Sequence, residues 1–268
     1  AAFDLRALYQ SRGYRPYKMS KFEEYDLYVR NKDFLVSDNV ITFTDTNGRL
    51  MALKPDVTLS IIKNGKDTDG GIEKVYYNEN VYRISKGTHS YKEIMQVGLE
   101  CVGDVDDYRI LEVLTLAAES LERISDECVL DLSHLGLVSA VLDQADLSSE
   151  GKKDVLAFLS EKNLHGAMDV CKKENVSLSS TEAIKTLITT YGDPQSVIEK
   201  LKGLNVGKEE LAQLEGLICA LNESGLGNKV RIDFSVINDM NYYNGIVFRG
   251  FVKGIPTGIL SGGQYDKL

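Results

Sequence analysis

The sequence predicts an α+β fold in which an antiparallel sheet is flanked by helices and interrupted by a helical insertion. Three observations predict it. Tyr76 to Gly103 reads as two strands joined by a polar loop. Residues 133–227 exchange strand patterning for helical spacing. Strand-like runs resume at Lys229, so a sheet domain of residues 1–132 and 228–268 is split by an insertion of residues 133–227.

Phe3, Leu5, Leu8 and Tyr9 share one helical face ahead of a stopping Gly13, giving a short helix that should cover one side of a sheet. The aromatic and charged stretch KMSKFEEYDLYVRNKDFLVSD reads as a strand followed by a short helix. VITFT and RLMAL then flank Asp45-Thr46-Asn47-Gly48, and Asn-Gly between apolar runs signals a hairpin. Lys54-Pro55-Asp56-Val57-Thr58 opens a helix through Leu59, Ile61 and Ile62, with Asp56 able to cap it.

In the central hairpin the second strand is expected from about Ile94 to Val102. Side chains alternate across a strand, so Met95, Val97, Leu99 and Cys101 form an apolar face and Gln96, Gly98 and Glu100 share the other. An amide and a carboxylate separated by ~13 Å of strand, with a side-chain-free gap between them, suit the floor of a small polar pocket. A solvated face with an incidental glycine is the alternative.

Beyond the hairpin, Asp104 to Asp107 lead into a helix marked by Ile110, Leu114, Ala117, Leu121 and Ile124, with acidic residues at its positive end. Glu127 to Leu132 reads as one more strand. Helical spacing follows over 137–142, 153–159, 181–190, 194–201 and 209–222. VRIDFSVI and GIVFRGFV then flank the turn-rich Asn238 to Asn244, and Gly254-Ile255-Pro256 turns the chain into Thr257 to Leu260.

The 268 residues carry a formal net charge of −9, which argues against a broad basic surface for a nucleic-acid backbone. Cys101, Cys128, Cys171 and Cys219 show no paired spacing, and His89, His134 and His165 are scattered. Neither a disulfide framework nor a metal site is suggested, and a reducing cytoplasm is the expected compartment. No apolar run reaches ~18 residues and no signal pattern opens the chain, so no membrane segment is expected. The first residue is not Met and SGGQYDKL looks like the start of an element, so the sequence is expected to continue past both ends.

TFTDTNGRLMALKPDVT, VYRISKGTHSYKEIMQVGLECVG, and NDMNYYNGIVF followed by LSGGQYDKL resemble the class II catalytic core of histidyl-tRNA synthetases. They are more similar still to its paralogue family, the regulatory subunits of ATP phosphoribosyltransferase. The resemblance spans residues 1–268 and implies a class II aminoacyl-tRNA synthetase-like antiparallel sheet of six or seven strands. It also implies a histidine pocket at Asp56, Thr58, Gln96, Glu100, Tyr242 and Tyr243. An ammonium can be balanced by Asp56, an imidazole bonded by Gln96, Glu100 and a tyrosine hydroxyl, and Gly98 would let the ligand lie against the backbone. Arg83 stands where the synthetases place their first ATP-binding arginine; here it could hold a ligand carboxylate or pair with Glu100.

Alternatives stay open at each position. Asp56 could be a cap alone, Gln96 and Glu100 a structural network, one tyrosine a core ring, and Gly262-Gly263 a tight turn. His89 is expected to be solvated.

Three departures from the synthetase pattern stand out. Asn238 replaces a catalytic arginine, Gln264 replaces the arginine of Gly-Gly-Arg-Tyr-Asp, and Ser90 stands where a basic residue is usual. Losing one preorganised transition-state contact costs ~3 kcal/mol. The resemblance therefore implies a non-catalytic protein that assembles with the short-form ATP phosphoribosyltransferase catalytic subunit, activates it and contributes to histidine feedback. Self-association as a dimer is expected, although Ser20 replaces an interface proline of the class; tRNA binding and a cofactor are not. A divergent enzyme activating an amino acid with ATP, and a stand-alone amino-acid sensor, are the alternatives.

Overall fold

The computed structural model describes residues 2–31, 40–64, 71–85, 88–237 and 243–265. The chain divides into two compact units, Ala1–Asp106 and Asp107–Lys267.

In the first unit, α1 (Ala2–Ser11) ends at Gly13, whose φ of +82° places it in the left-handed region that glycine adopts at low cost. Leu5, Leu8 and Tyr9 are buried, whereas Phe3 stays 85% exposed. The predicted strand and helix are β2 (Phe22–Glu24) and α2 (Tyr25–Arg30), following a two-residue strand β1 (Arg15–Pro16). The predicted hairpin is β3 (Thr42–Thr44) and β4 (Leu50–Leu53); its turn is tied by Asp45, whose Oδ1 accepts from the amides of Asn47 and Arg49. The helix α3 (Thr58–Asn64) follows, its start held by Asp56 Oδ1 accepting from the Leu59 amide at 3.1 Å.

The central hairpin consists of β5 (Ile72–Ile84) and β6 (Tyr91–Gly103), paired without interruption from Ile84↔Tyr91 to Ile72↔Gly103. The second strand therefore begins three residues before the expected Ile94. Its apolar face is also less uniform than expected, because Met95 is 63% exposed while Val97, Leu99 and Cys101 are half-buried. On that face α1 meets β5, with Tyr9 and Tyr76 rings 6.1 Å apart and Gln10 Nε2 donating to the Tyr76 hydroxyl.

The second unit holds a five-stranded sheet ordered β11 (Leu260–Gly263), β10 (Ile246–Val252), β7 (Cys128–His134), β9 (Val230–Asp233) and β8 (Tyr191–Gly192). The amphipathic α4 (Asp107–Glu122) buries Ile110, Leu114, Ala117 and Leu121; Leu121 fills the space a side chain at Gly250 of β10 would need. Between β7 and β9 run α5 (Leu135–Gln144), α6 (Ser149–Ser160), α7 (Leu164–Lys173), α8 (Leu178–Thr189), α9 (Pro194–Leu201) and α10 (Lys208–Glu223). The helix α7 is additional to those predicted. It buries Ala167 and Cys171.

Pairing differs from the expected single sheet. The described strands form ladders of three (β1-β5-β6), three (β2-β4-β3) and five, and two pairs are parallel: β1 with β5, and β7 with β9. A parallel partner requires a long crossover, which the helices after β7 supply. Gly262 and Gly263 form no tight turn: they lie in β11 opposite Phe248 and Val247. Among the described residues no helix is long and apolar enough to cross a membrane.

Candidate functional site

The polar face of the hairpin is legible from its register. Residues directly opposite on an antiparallel pair share a face, so Arg83/Lys92, Val81/Ile94, Glu79/Gln96, Tyr77/Gly98 and Val75/Glu100 form successive rungs. Val57 and Ile61, from the α3 segment, cluster with Val75 and Val81. This anchors residues 54–58 across the rungs.

Four polar contacts define the floor. Lys54, 0% exposed, reaches Glu79 with Nζ to Oε2 at 2.6 Å. Arg83 Nε donates to the Pro55 carbonyl at 3.0 Å. Asp56 caps α3, and Thr58 Oγ1 donates to Glu100 Oε1 at 2.6 Å. Burial pushes the Asp56 carboxyl above its ordinary range, opposed by its bond to the Leu59 amide and by the Arg83 charge. Gln96 is half-buried, and among the described residues its carboxamide has no hydrogen bond.

The structure thus brings Asp56, Thr58, Arg83, Gln96 and Glu100 onto one face. It also corrects two expectations. An Arg83–Glu100 ion pair is excluded by register, since Glu100 lies opposite Val75, eight residues or ~26 Å along the ladder from Arg83. Gly98 offers no bed for a ligand, because a side chain there would overlap the phenol of Tyr77. The missing side chain at 98 makes room for the tyrosine ring, which stands between the Gln96 and Glu100 rungs.

Sequence reasoning missed Lys54, Glu79 and Tyr77. The signal was available in the loop. With Ser85 to Ser90 excluded from the strands, Ile84 pairs Tyr91 and the entire face follows.

In the second unit, Tyr243 packs on the cluster of Leu135, Val236 and Val247 and covers Gly263, with Tyr265 at 6.5 Å. Gln264 extends the β10–β11 ladder, its amide donating to the Ile246 carbonyl and its carbonyl accepting from Asn244. Ser90, in the hairpin loop of the first unit, bonds Thr88 through their hydroxyls at 2.7 Å. Tyr242 and Asn238 lie outside the described residues. His134, at the end of β7, is buried and neutral in character: Nδ1 accepts from the Leu137 amide, so Nε2 donates to Gln213 Oε1, whose Nε2 donates to Asp107. Burial lowers its imidazole below the ordinary value. All four cysteines are free thiols.

The α+β scaffold, with a long antiparallel hairpin presenting a polar floor beneath a capped helix, is that of the class II synthetases. The family model described as Histidyl-tRNA synthetase matches residues 2–268, and the chain belongs to that family. Among curated proteins, the ATP phosphoribosyltransferase regulatory subunit of Oceanobacillus iheyensis is 27% identical over 263 residues, covering 96% of this chain and 64% of the relative. The protein of the same description from Caldanaerobacter subterraneus is 29% identical over 270 residues, covering 98% and 70%. The chain thus spans roughly two thirds of such relatives' length.

Among solved structures, an ATP phosphoribosyltransferase regulatory subunit/histidyl-tRNA synthetase from Bacillus halodurans superposes with a TM-score of 0.86 at 26% identity, covering 99% of this chain and 71% of that one. The ATP phosphoribosyl transferase (HisG:HisZ) complex from Thermotoga maritima shares the fold, with a TM-score of 0.78 at 21% identity over 98% and 90% of the two chains.

Proposed function

We propose that this chain is a non-catalytic regulatory subunit of ATP phosphoribosyltransferase that binds the short-form catalytic subunit, activates it and carries histidine feedback. The observation that carries the proposal is the agreement of curated relatives, under that one description, over nearly all of this sequence. The polar floor supports it, since Gln96, Thr58 and Glu100 are groups that hold an amino acid. Gln264 and Ser90 supply no cation for ATP activation, and the net charge of −9 offers tRNA little attraction. A cytoplasmic, dimeric assembly fits a biosynthetic partner.

Histidine must bind the inhibited assembly more tightly than the active one, because equal affinity would shift nothing. Mixing the purified chain with the short-form subunit is the test. The expected result is a complex by size and faster phosphoribosyl-ATP formation, reversed by histidine. Absence of both complex and acceleration overturns the proposal, and histidine-dependent ATP–pyrophosphate exchange would assign an enzyme instead.

A further inference from the structure

His134 ties three helices together through one hydrogen-bond chain in which every donor has a fixed direction. The Leu137 amide donates to Nδ1 at 3.3 Å and so caps α5; Nε2 donates to Gln213 Oε1 at 2.8 Å on α10; Gln213 Nε2 donates to Asp107 Oδ1 at 2.6 Å, at the first residue of α4. That order requires a neutral ring, because an imidazolium has no acceptor. Among the described residues two carboxylates face the ring, Glu210 from α10 and Asp107 from α4, while its partner on β10 is Ile246. The two carboxylates are not alike. Asp107 is engaged by Gln213, whereas Glu210 is half-buried and, among the described residues, has neither a hydrogen bond nor an ion pair. Glu210 also lies close: its Cγ and the His134 Cε1 stand 3.1 and 3.0 Å from the point where a side chain at Gly136 would begin.

We propose that His134 is a proton-operated switch at the entrance to α5, in which the protonated ring gives up the Leu137 amide and turns its Nδ1–H to Glu210. A proton taken from water onto Nδ1 sets donor against donor at Leu137, so the cap breaks, and the unpaired carboxylate supplies the replacement partner. Burial holds the proton off in neutral solution, and the Glu210 charge draws it on as the medium acidifies. The change reaches beyond one turn of helix. The Leu137 side chain fills the space beside Gly207, where α10 begins. Leu135, in the same turn, donates its amide to the Gly245 carbonyl and packs with Val236, Val247 and Tyr243. The switch thus joins the α5–α10 seam to the start of β10.

The experiment is an NMR titration of the full chain over about pH 8 to 5, the range in which imidazoles titrate, following the His134 ring nitrogens and amide-exchange protection. Near neutrality the ring should carry its proton on Nε2. As the ring titrates, Leu137 should lose protection by about fivefold or more, the scale of one lost cap, while Ile184 in the middle of α8 keeps its own. Glu210→Gln should move the ring's midpoint to lower pH. His134→Asn, which still accepts from the Leu137 amide, should hold Leu137 protection constant across the range. A proton on Nδ1 near neutrality, a ring that never titrates, unchanged Leu137 protection while it does, or an unmoved midpoint in Glu210→Gln each overturns the inference. An equal fall at Ile184 also overturns it, since that reports global unfolding and not a local switch. If His134→Asn fails to fold, Glu210→Gln decides, because it leaves both ring and cap in place.

Discussion

Tyr77 fills the space that Gly98 leaves empty: the phenol lies where a Cβ at position 98 would stand. Gly98→Ala therefore forces the ring or the strand to move, and overpacking of this kind costs ~1–3 kcal/mol. Chemical denaturation should show that loss. Gly98→Ala combined with Tyr77→Ala should cost less than the two single changes added together, since the clash needs both partners. Additive losses would mean that the two residues do not share this space.

Among the described residues Glu79 is the only counter-charge on Lys54, and Lys54 is removed from water. Glu79→Ala should lower unfolding stability by about 3 kcal/mol, because an uncompensated buried ammonium remains. Lys54→Met with Glu79→Leu should recover most of it. Equal losses in the single and double variants would place the penalty elsewhere.

Thr58 donates to a carboxylate, and hydrogen bonds to charged groups contribute ~1.5–3 kcal/mol. Thr58→Val, nearly the same shape, should lower stability by about that amount, while Thr58→Ser keeps the donor and most of the stability. Urea midpoints of the two variants compare them directly.

Asp56 has a folded-state carboxyl raised above its ordinary 3.8, with burial the leading cause. Its contribution is thus fully present below 3.8 and is lost as pH rises through the raised folded value. Asn caps helices as well as Asp does. Asp56→Asn should retain the α3 cap, match or exceed wild-type stability at neutral pH, and remove this decline. Denaturation across a pH series reads it.

His134 has the opposite sign. Its folded imidazole lies below the ordinary 6.5, so in acid the unfolded chain binds the extra proton first. Stability should fall as pH drops through 6.5 and level off below the folded value. His134→Asn, able to accept from the Leu137 amide, should flatten this slope. A wild-type melting temperature constant across that window would contradict the buried neutral assignment.

Much of the architecture was legible because local chemistry declares it. Gly13, Asn47-Gly48, Pro55-Asp56 and Pro194 each announce a stop, a turn or a start, and the structure places element ends beside them. The helix α7 was not predicted although its apolar residues recur at helical spacing; Gly166 in its first turn weakens the local helical signal. The parallel pairings escaped because alternation specifies which face is buried and not which strand lies alongside.

For the candidate site, the residue types at Gln96 and Glu100 could be read as one face from alternation alone, and Asp56 as a cap from its position before a helix. The sequence by itself determined that inventory, since strand period and capping are properties of short segments. Only the tertiary structure decided that Lys54 clamps Glu79 opposite Gln96, that Tyr77 claims the gap at Gly98, and that Arg83 is held by the Pro55 carbonyl, four rungs from Glu100. Those are distances between segments brought together by strand register and by the packing of Val57 and Ile61 on Val75 and Val81. No local pattern encodes them.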